Sequence, residues 1–283
     1  MALSKINKTN TVNRTELVNQ IKTKKSFLCV GLDTDIKKVP PHLLQQENPV
    51  LAFNKAIIDA TKDYCVSYKI NTAFYEAEGV KGWQTMQDTL SYIPENIFTI
   101  ADAKRGDIGN TSDMYARAFF KHMNFDSVTL APYMGQDSLS PFFSYTDKWG
   151  IVLALTSNPG SADFEQQQIG ENKLYERVIK TFSTMATDEQ LMFVVGATKP
   201  QELGEIRKQV PGYFFLVPGV GAQGGSLVDV AQHGMNKDCG LLINASRSII
   251  YASNGTDFAE KAAAEAKLMA DEMATLLQQH GVI

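Results

Sequence analysis

Eight short apolar runs, each followed by a segment with helical periodicity, succeed one another along the whole chain. The runs occupy residues 27–33, 65–71, 97–101, 127–131, 150–156, 191–197, 213–217 and 240–245. They are continuously apolar and do not alternate, which suits parallel strands covered on both faces. The helical segments fall at 48–64, 76–93, 112–123, 136–145, 173–186, 200–209, 226–233 and 257–279. Gly79 and Gly82 interrupt the second of these, and Pro94 stops it. A further helix over 15–24 precedes them all, with Asn13 as its cap and Glu16 placed to complete a capping box. A chain of 283 residues has room for one large α/β domain or two small ones. No linker-like break divides the repeats, so the pattern predicts a single domain, a closed (β/α)8 TIM barrel, with residues 1–11 as a flexible lead-in. The competing doubly wound open sheet would need fewer parallel strands and a glycine fingerprint after the first. The stretch Gly31-Leu-Asp33 does not supply that fingerprint.

Composition narrows the partners. A net charge of −4 gives no reason to expect nucleic acid, and no apolar run approaches the length that crosses a bilayer. The polar N-terminus lacks the apolar core of a signal peptide. Cys29, Cys65 and Cys239 lie far apart in or beside apolar runs, as buried reduced thiols do, and the cytoplasm is the expected compartment. The histidines, His42, His122, His233 and His280, show no metal-ligand spacing, and no metal site is expected.

In a barrel the C-terminal strand ends share one mouth. Those ends carry Asp33, Lys69, Asp102, Lys104, Ser157, Pro218-Gly219 and Arg247. The densest stretch is Asp102-Ala-Lys104-Arg-Gly-Asp107, where an apolar run stops abruptly in charge. Two carboxylates bracket one ammonium, and buried charges persist only when paired. A structural ion pair would explain an isolated Asp-x-Lys, but an array at a strand end before a glycine turn and a helix is where α/β folds build sites. A lysine so held stays protonated, which argues against a Schiff-base nucleophile and for a general acid or a stabiliser of developing negative charge. After the seventh and eighth runs, Gly219, Gly221, Gly224 and Gly225 allow backbone N–H groups to approach an anion, and Arg247 adds a bidentate donor. The inferred substrate is a small phosphorylated molecule, with phosphate near Arg247 and chemistry near Lys104.

The stretch Asp102-Ala-Lys104-Arg-Gly-Asp107-Ile-Gly-Asn-Thr111 closely resembles the signature of the orotidine 5′-phosphate decarboxylase family in its longer bacterial form. Gly31-Leu-Asp33, Ser157-Asn-Pro-Gly160, residues 218–225 and Ser246-Arg247-Ser are similar to that family too. The resemblance implies a cytoplasmic homodimer of barrels that converts orotidine 5′-monophosphate to UMP and CO2 without cofactor, the last step of de novo UMP biosynthesis. It implies a charged tetrad of Lys69, Asp102, Lys104 and Asp107, with Asp107 and Thr111 supplied across the dimer interface. Lys104 would protonate C6 as CO2 leaves, and Asp102 would sit beside the substrate carboxylate. Asp33 and Lys69 would hold ribose hydroxyls, Ser157 the pyrimidine, and Pro218, Gln223 and Arg247 the phosphate end. Two positions depart from many relatives: Gly109 stands where they have Pro, and Ser246 where they have Gly.

Two other readings remain in view. Mg²⁺-dependent sugar-phosphate enzymes similar to 3-keto-L-gulonate 6-phosphate decarboxylase share the D-x-K-x-x-D array, but need an acidic metal ligand where this chain has Lys69. A catalytically silent barrel would bind the nucleotide and release no CO2.

Overall fold

The computed structural model describes residues 11–221 and 224–283; the expected lead-in, apart from Thr11, and Gln223 lie outside them. The eight apolar runs become eight parallel strands: β1 (Leu28–Gly31), β2 (Ser67–Asn71), β3 (Phe98–Arg105), β4 (Ser127–Leu130), β5 (Trp149–Leu155), β6 (Leu191–Val195), β7 (Phe214–Pro218) and β8 (Leu241–Ala245). Each pairs with its neighbours in sequence, and β8 pairs back onto β1 through Leu28↔Ile243 and Cys29↔Asn244. The sheet is thereby closed, which leaves no strand edge to pair with another chain. Every residue of β1, β4 and β6 is buried, as strands with barrel filling on one face and helices on the other must be.

The outer helices form where the caps predict. Asn48 accepts the Leu51 N–H and Pro49 takes the first position of the helix Pro49–Thr61. The C-terminal helix Phe258–Gln279 buries Phe258, Ala262, Ala266, Ala270, Met273 and Leu277, one stripe at spacings of three and four, and packs against Pro49–Thr61. The helix Arg14–Lys24 begins in the expected capping box of Asn13 and Glu16. It seals the N-terminal end of the barrel. The Val12 N–H donates to Asp126 (3.1 Å), just before β4, and Trp149, which opens β5, donates its indole N–H to the Val12 carbonyl (3.1 Å). Arg14 donates to the carbonyls of Asp188 and Gly212, before β6 and β7. The C-terminal mouth lies at the other end.

Several expected boundaries move. The helix expected over 76–93 begins at Gly79, which takes φ 63°, and runs to Tyr92 without the interruption expected at Gly82; a separate short helix, Thr72–Glu76, precedes it. The helix expected from residue 112 begins at Gly109 and passes at Arg117 into a wider π-helical stretch to His122. The polar segment after β5 carries a short 3-10 turn, Pro159–Ala162, and a small hairpin of Gln168–Ile169 with Asn172–Lys173. The three cysteines are free and buried; burial pushes the Cys29 and Cys239 thiols up to about 12 and Cys65 up to about 11.

Candidate active site

Strand register brings the charged residues together. Gly31 is level with Lys69, and Asn71 is level with Asp102, so Lys69 lies between the end of β1 and the end of β3. Asp33 follows two residues beyond Gly31. The Lys69 ammonium bonds Asp33 Oδ1 at 3.1 Å and Asp102 Oδ2 at 3.0 Å. Lys104 Nζ bonds Asp102 Oδ1 at 2.6 Å, and Ser246, just past β8, donates to Asp33 Oδ2 at 2.8 Å. The result is an unbroken line of opposite charges, Asp33, Lys69, Asp102 and Lys104, across the mouth of the barrel. Lys69 is 4% exposed, whereas the Lys104 side chain is half-exposed and faces the opening.

Burial alone would push the Asp102 carboxyl up, but the Lys69 and Lys104 ammoniums outweigh it and hold it well below the usual carboxylate range. Burial likewise opposes charge on Lys69, yet Asp102 and Asp33 outweigh it and raise its pKa. Each charge is fixed by its neighbours before any ligand arrives, which is the condition for electrostatic catalysis without reorganisation.

Asp107 makes no ion pair with Lys104 within the chain; its carboxylate accepts the Ile108 N–H at 2.8 Å. Thr111 is exposed on the helix Gly109–Ala116. Around both lie the exposed apolar side chains of Ile108 and Met114. Arg105 turns away from the mouth, donates to the Ala103 carbonyl, pairs with Glu76 and lies over the Tyr115 and Phe119 rings, clamping the end of β3 to the next helix.

Ser157 leaves β5 against Gly196, where an added Cβ would stand 2.8 Å from the Ser157 backbone N. After β7 the glycines are needed for their backbone freedom. Gly219, Gly221 and Gly224 have φ of 98°, 70° and 84°. Gly225 donates to the Gly219 carbonyl and Gly221 to that of Gly225, which curls the loop tightly. Pro218 ends β7, with its carbonyl accepting the Ala197 N–H. Arg247 is exposed at the start of a short helix, Arg247–Ile250, with no ion-pair partner among the described residues.

Three contributors escape a reading by strand ends. Thr129 is within β4 and bonds both Asp102 and the Lys104 backbone. Ser246 is legible only as the neighbour of an arginine. Glu165 sits in the polar segment after β5 and folds it back by accepting the Thr156 N–H (2.7 Å) and hydroxyl (2.9 Å). Their partners are fixed by the closed barrel, and nothing in local sequence announces them.

A parallel barrel that presents a buried lysine–aspartate line beside a glycine-rich, arginine-flanked loop belongs to the class of (β/α)8 enzymes built on preorganised charge. The sequence places it further: the chain belongs to the orotidine 5′-phosphate decarboxylase / HUMPS family, whose sequence profile matches residues 26–262. It is 57% identical over 276 residues to the orotidine 5′-phosphate decarboxylase of Parabacteroides distasonis, covering 96% of this chain and 99% of that one. It is 58% identical over 265 residues to that of Flavobacterium johnsoniae, covering 93% and 97%. Among solved structures, Leishmania donovani OMP decarboxylase superposes with a TM-score of 0.81 at 35% identity, over 93% of this chain and 98% of that one. The barrel and the family expected from the sequence are both borne out.

Proposed function

We infer that the chain is a carboxy-lyase that converts orotidine 5′-monophosphate to UMP and CO2, the closing step of de novo UMP synthesis. One observation carries the chemistry: Lys104 Nζ, 2.6 Å from Asp102, is aimed at the open mouth by a carboxylate that Lys69 anchors from behind. The phosphate is held by the turn at Pro218 and Gly219, by Gln223 and by Arg247, and the ribose hydroxyls by Asp33 and Lys69. Ser157 meets the pyrimidine. The C6–carboxylate bond breaks, its electron pair stays on C6, and CO2 departs. The ring offers no adjacent carbonyl to spread that charge, so the Lys104 ammonium stabilises it and then gives C6 a proton. Solvent returns the proton to Lys104. Phosphate contacts far from C6 supply binding energy for ordering the site.

The reaction uses no cofactor in this reading. Lys69 stands between Asp33 and Asp102 at 3.1 and 3.0 Å, in the place where a Mg²⁺-dependent relative would put the cation and its carboxylate ligand. The working form is a homodimer in which Asp107 and Thr111 enter the neighbouring site. The turn of Asp107 away from its own Lys104 and the apolar side chains beside it support this. The protein is cytoplasmic in this reading, in keeping with three buried free thiols.

The test is the loss of absorbance of orotidine 5′-monophosphate as it becomes UMP. The parent turns over equally with and without EDTA. Lys104→Ala lowers kcat by at least about 10³-fold while keeping its fold and its UMP affinity. UMP binding without CO2 release by the parent would mark a silent barrel, and dependence on Mg²⁺ would restore the metal-dependent reading.

A further inference from the structure

Lys104 is one of few non-glycine residues with positive φ, 48°. A side chain in that left-handed region costs about 1–2 kcal/mol and must be held there. The β3–β4 ladder explains how it arises. Ala101 pairs with Val128 and Arg105 pairs with Leu130, so four steps along β3 face two along β4. The surplus bulges at Asp102, Ala103 and Lys104, and a bulge beside an active site re-aims a side chain. A bulge also strands backbone donors. The Lys104 N–H finds no carbonyl in the ladder and donates to Thr129 Oγ1 at 2.9 Å. The same hydroxyl donates its proton to Asp102 Oδ1 at 3.0 Å, the oxygen that also receives Lys104 Nζ. Thr129 is 1% exposed, so no water replaces it.

We propose that Thr129 is a positioning residue for the reaction: its hydroxyl locks the β3 bulge and so fixes both the backbone of Lys104 and the carboxylate that aims its ammonium. It need not touch substrate; it acts through Lys104 and Asp102. The proposal rests on the decarboxylase reading above and adds to it the device that sets the Lys104 geometry. A displacement of the reacting group by about 1 Å is enough to cost about 10²-fold in rate.

The experiment compares the parent with Thr129→Val, which keeps shape and loses the hydroxyl, and Thr129→Ser, which keeps the hydroxyl. Turnover of orotidine 5′-monophosphate is read beside UMP affinity and thermal melting. Thr129→Val is expected to lower kcat about 10²-fold with UMP Kd and KM shifted by less than about threefold, and Thr129→Ser to stay within about fivefold of the parent. A Thr129→Val kcat within about threefold of the parent overturns the proposal. So does a loss of UMP affinity equal to the loss in kcat/KM, or a serine variant as impaired as the valine one. Should Thr129→Val not fold, Thr129→Ala against Thr129→Ser is read in the same way; if neither of those folds, the threonine side chain serves the fold itself and the proposal is overturned. A parent that releases no CO2 refutes the decarboxylase reading instead, so the two failures are distinguishable.

Discussion

Lys69 carries a charge that water cannot reach, and Asp33 and Asp102 are the reason it can stay. Removing one partner of such a group leaves the others uncompensated. Lys69→Met would leave two carboxylates facing the same gap, and the expected cost is about 3–5 kcal/mol in urea unfolding, together with loss of turnover. The pH dependence follows from the shifted groups. Asp102 titrates below the ordinary carboxylate range when folded, so its contribution is complete above about pH 4 and is lost as pH falls toward the folded value. Lys69 is raised, so its contribution is complete below about pH 10 and is lost as pH climbs through the folded value. Melting temperature should therefore show a plateau between these limbs. In Lys69→Met the chief charge that lowers the Asp102 pKa is gone, so the acid limb should shrink, its lower end moving up toward about pH 4. An unmoved acid limb in that variant would show that the pair is not coupled as its geometry requires.

At the scale of elements, the seam between β1 and β8 is closely packed at Gly31. A Cβ on Gly31 would lie 1.8 Å from Ser246 Oγ and 2.9 Å from its Cβ. Gly31→Ala should cost about 1–3 kcal/mol by overpacking and break the Ser246–Asp33 hydrogen bond, lowering activity. Adding Ser246→Gly should recover the stability, because the clashing atoms are gone, and leave activity low, because Asp33 still lacks its donor. Calorimetry and turnover of the two single variants and the double variant check this; additive stability losses would contradict it. Much of this architecture was legible beforehand. Unbroken apolar runs announce strands buried on both faces, and Asn13, Asn48 and Pro49 announce helix starts. Asp33, Lys69, Asp102 and Lys104 are legible as one cluster because each lies at or near the end of an apolar run, and the ends of those runs meet at one mouth. The bulge in β3 was not legible, since it depends on a hydroxyl one strand away, at Thr129. The roles of Ser246 and Glu165 were hidden for the same reason: their partners are far off in sequence, or unremarkable backbone groups. The π-helical stretch over 117–122 also lies beyond a pattern that assumes one helical period.

At the scale of the whole molecule, a carboxylate and an apolar face lie side by side. Asp107 bonds its own backbone neighbour and not Lys104, while Ile108, Met114, Tyr133 and Met134 are exposed. Asp107 and Thr111 follow within a few residues of Lys104, beyond Gly106. Gly106 is held there by crowding, because an added Cβ would sit 2.7 Å from the Ala131 carbonyl oxygen. In the proposed homodimer Asp107, beside these apolar side chains, would complete the site of a second copy of the chain, and a two-fold axis would make that exchange reciprocal. Lys104→Ala and Asp107→Ala should each be inactive alone. Mixed in equal amounts and allowed to exchange subunits, half the dimers become hybrids. Each hybrid has one site that lacks both residues and one that has both, so about a quarter of the parental activity should return. The hybrids are verified by a mass tag on one parent, and turnover is read against their measured fraction. Recovery in proportion to that fraction would place Asp107 in the neighbouring site. Verified hybrids as inactive as either parent would place Asp107 in its own subunit, and the apolar face beside it would then need another explanation.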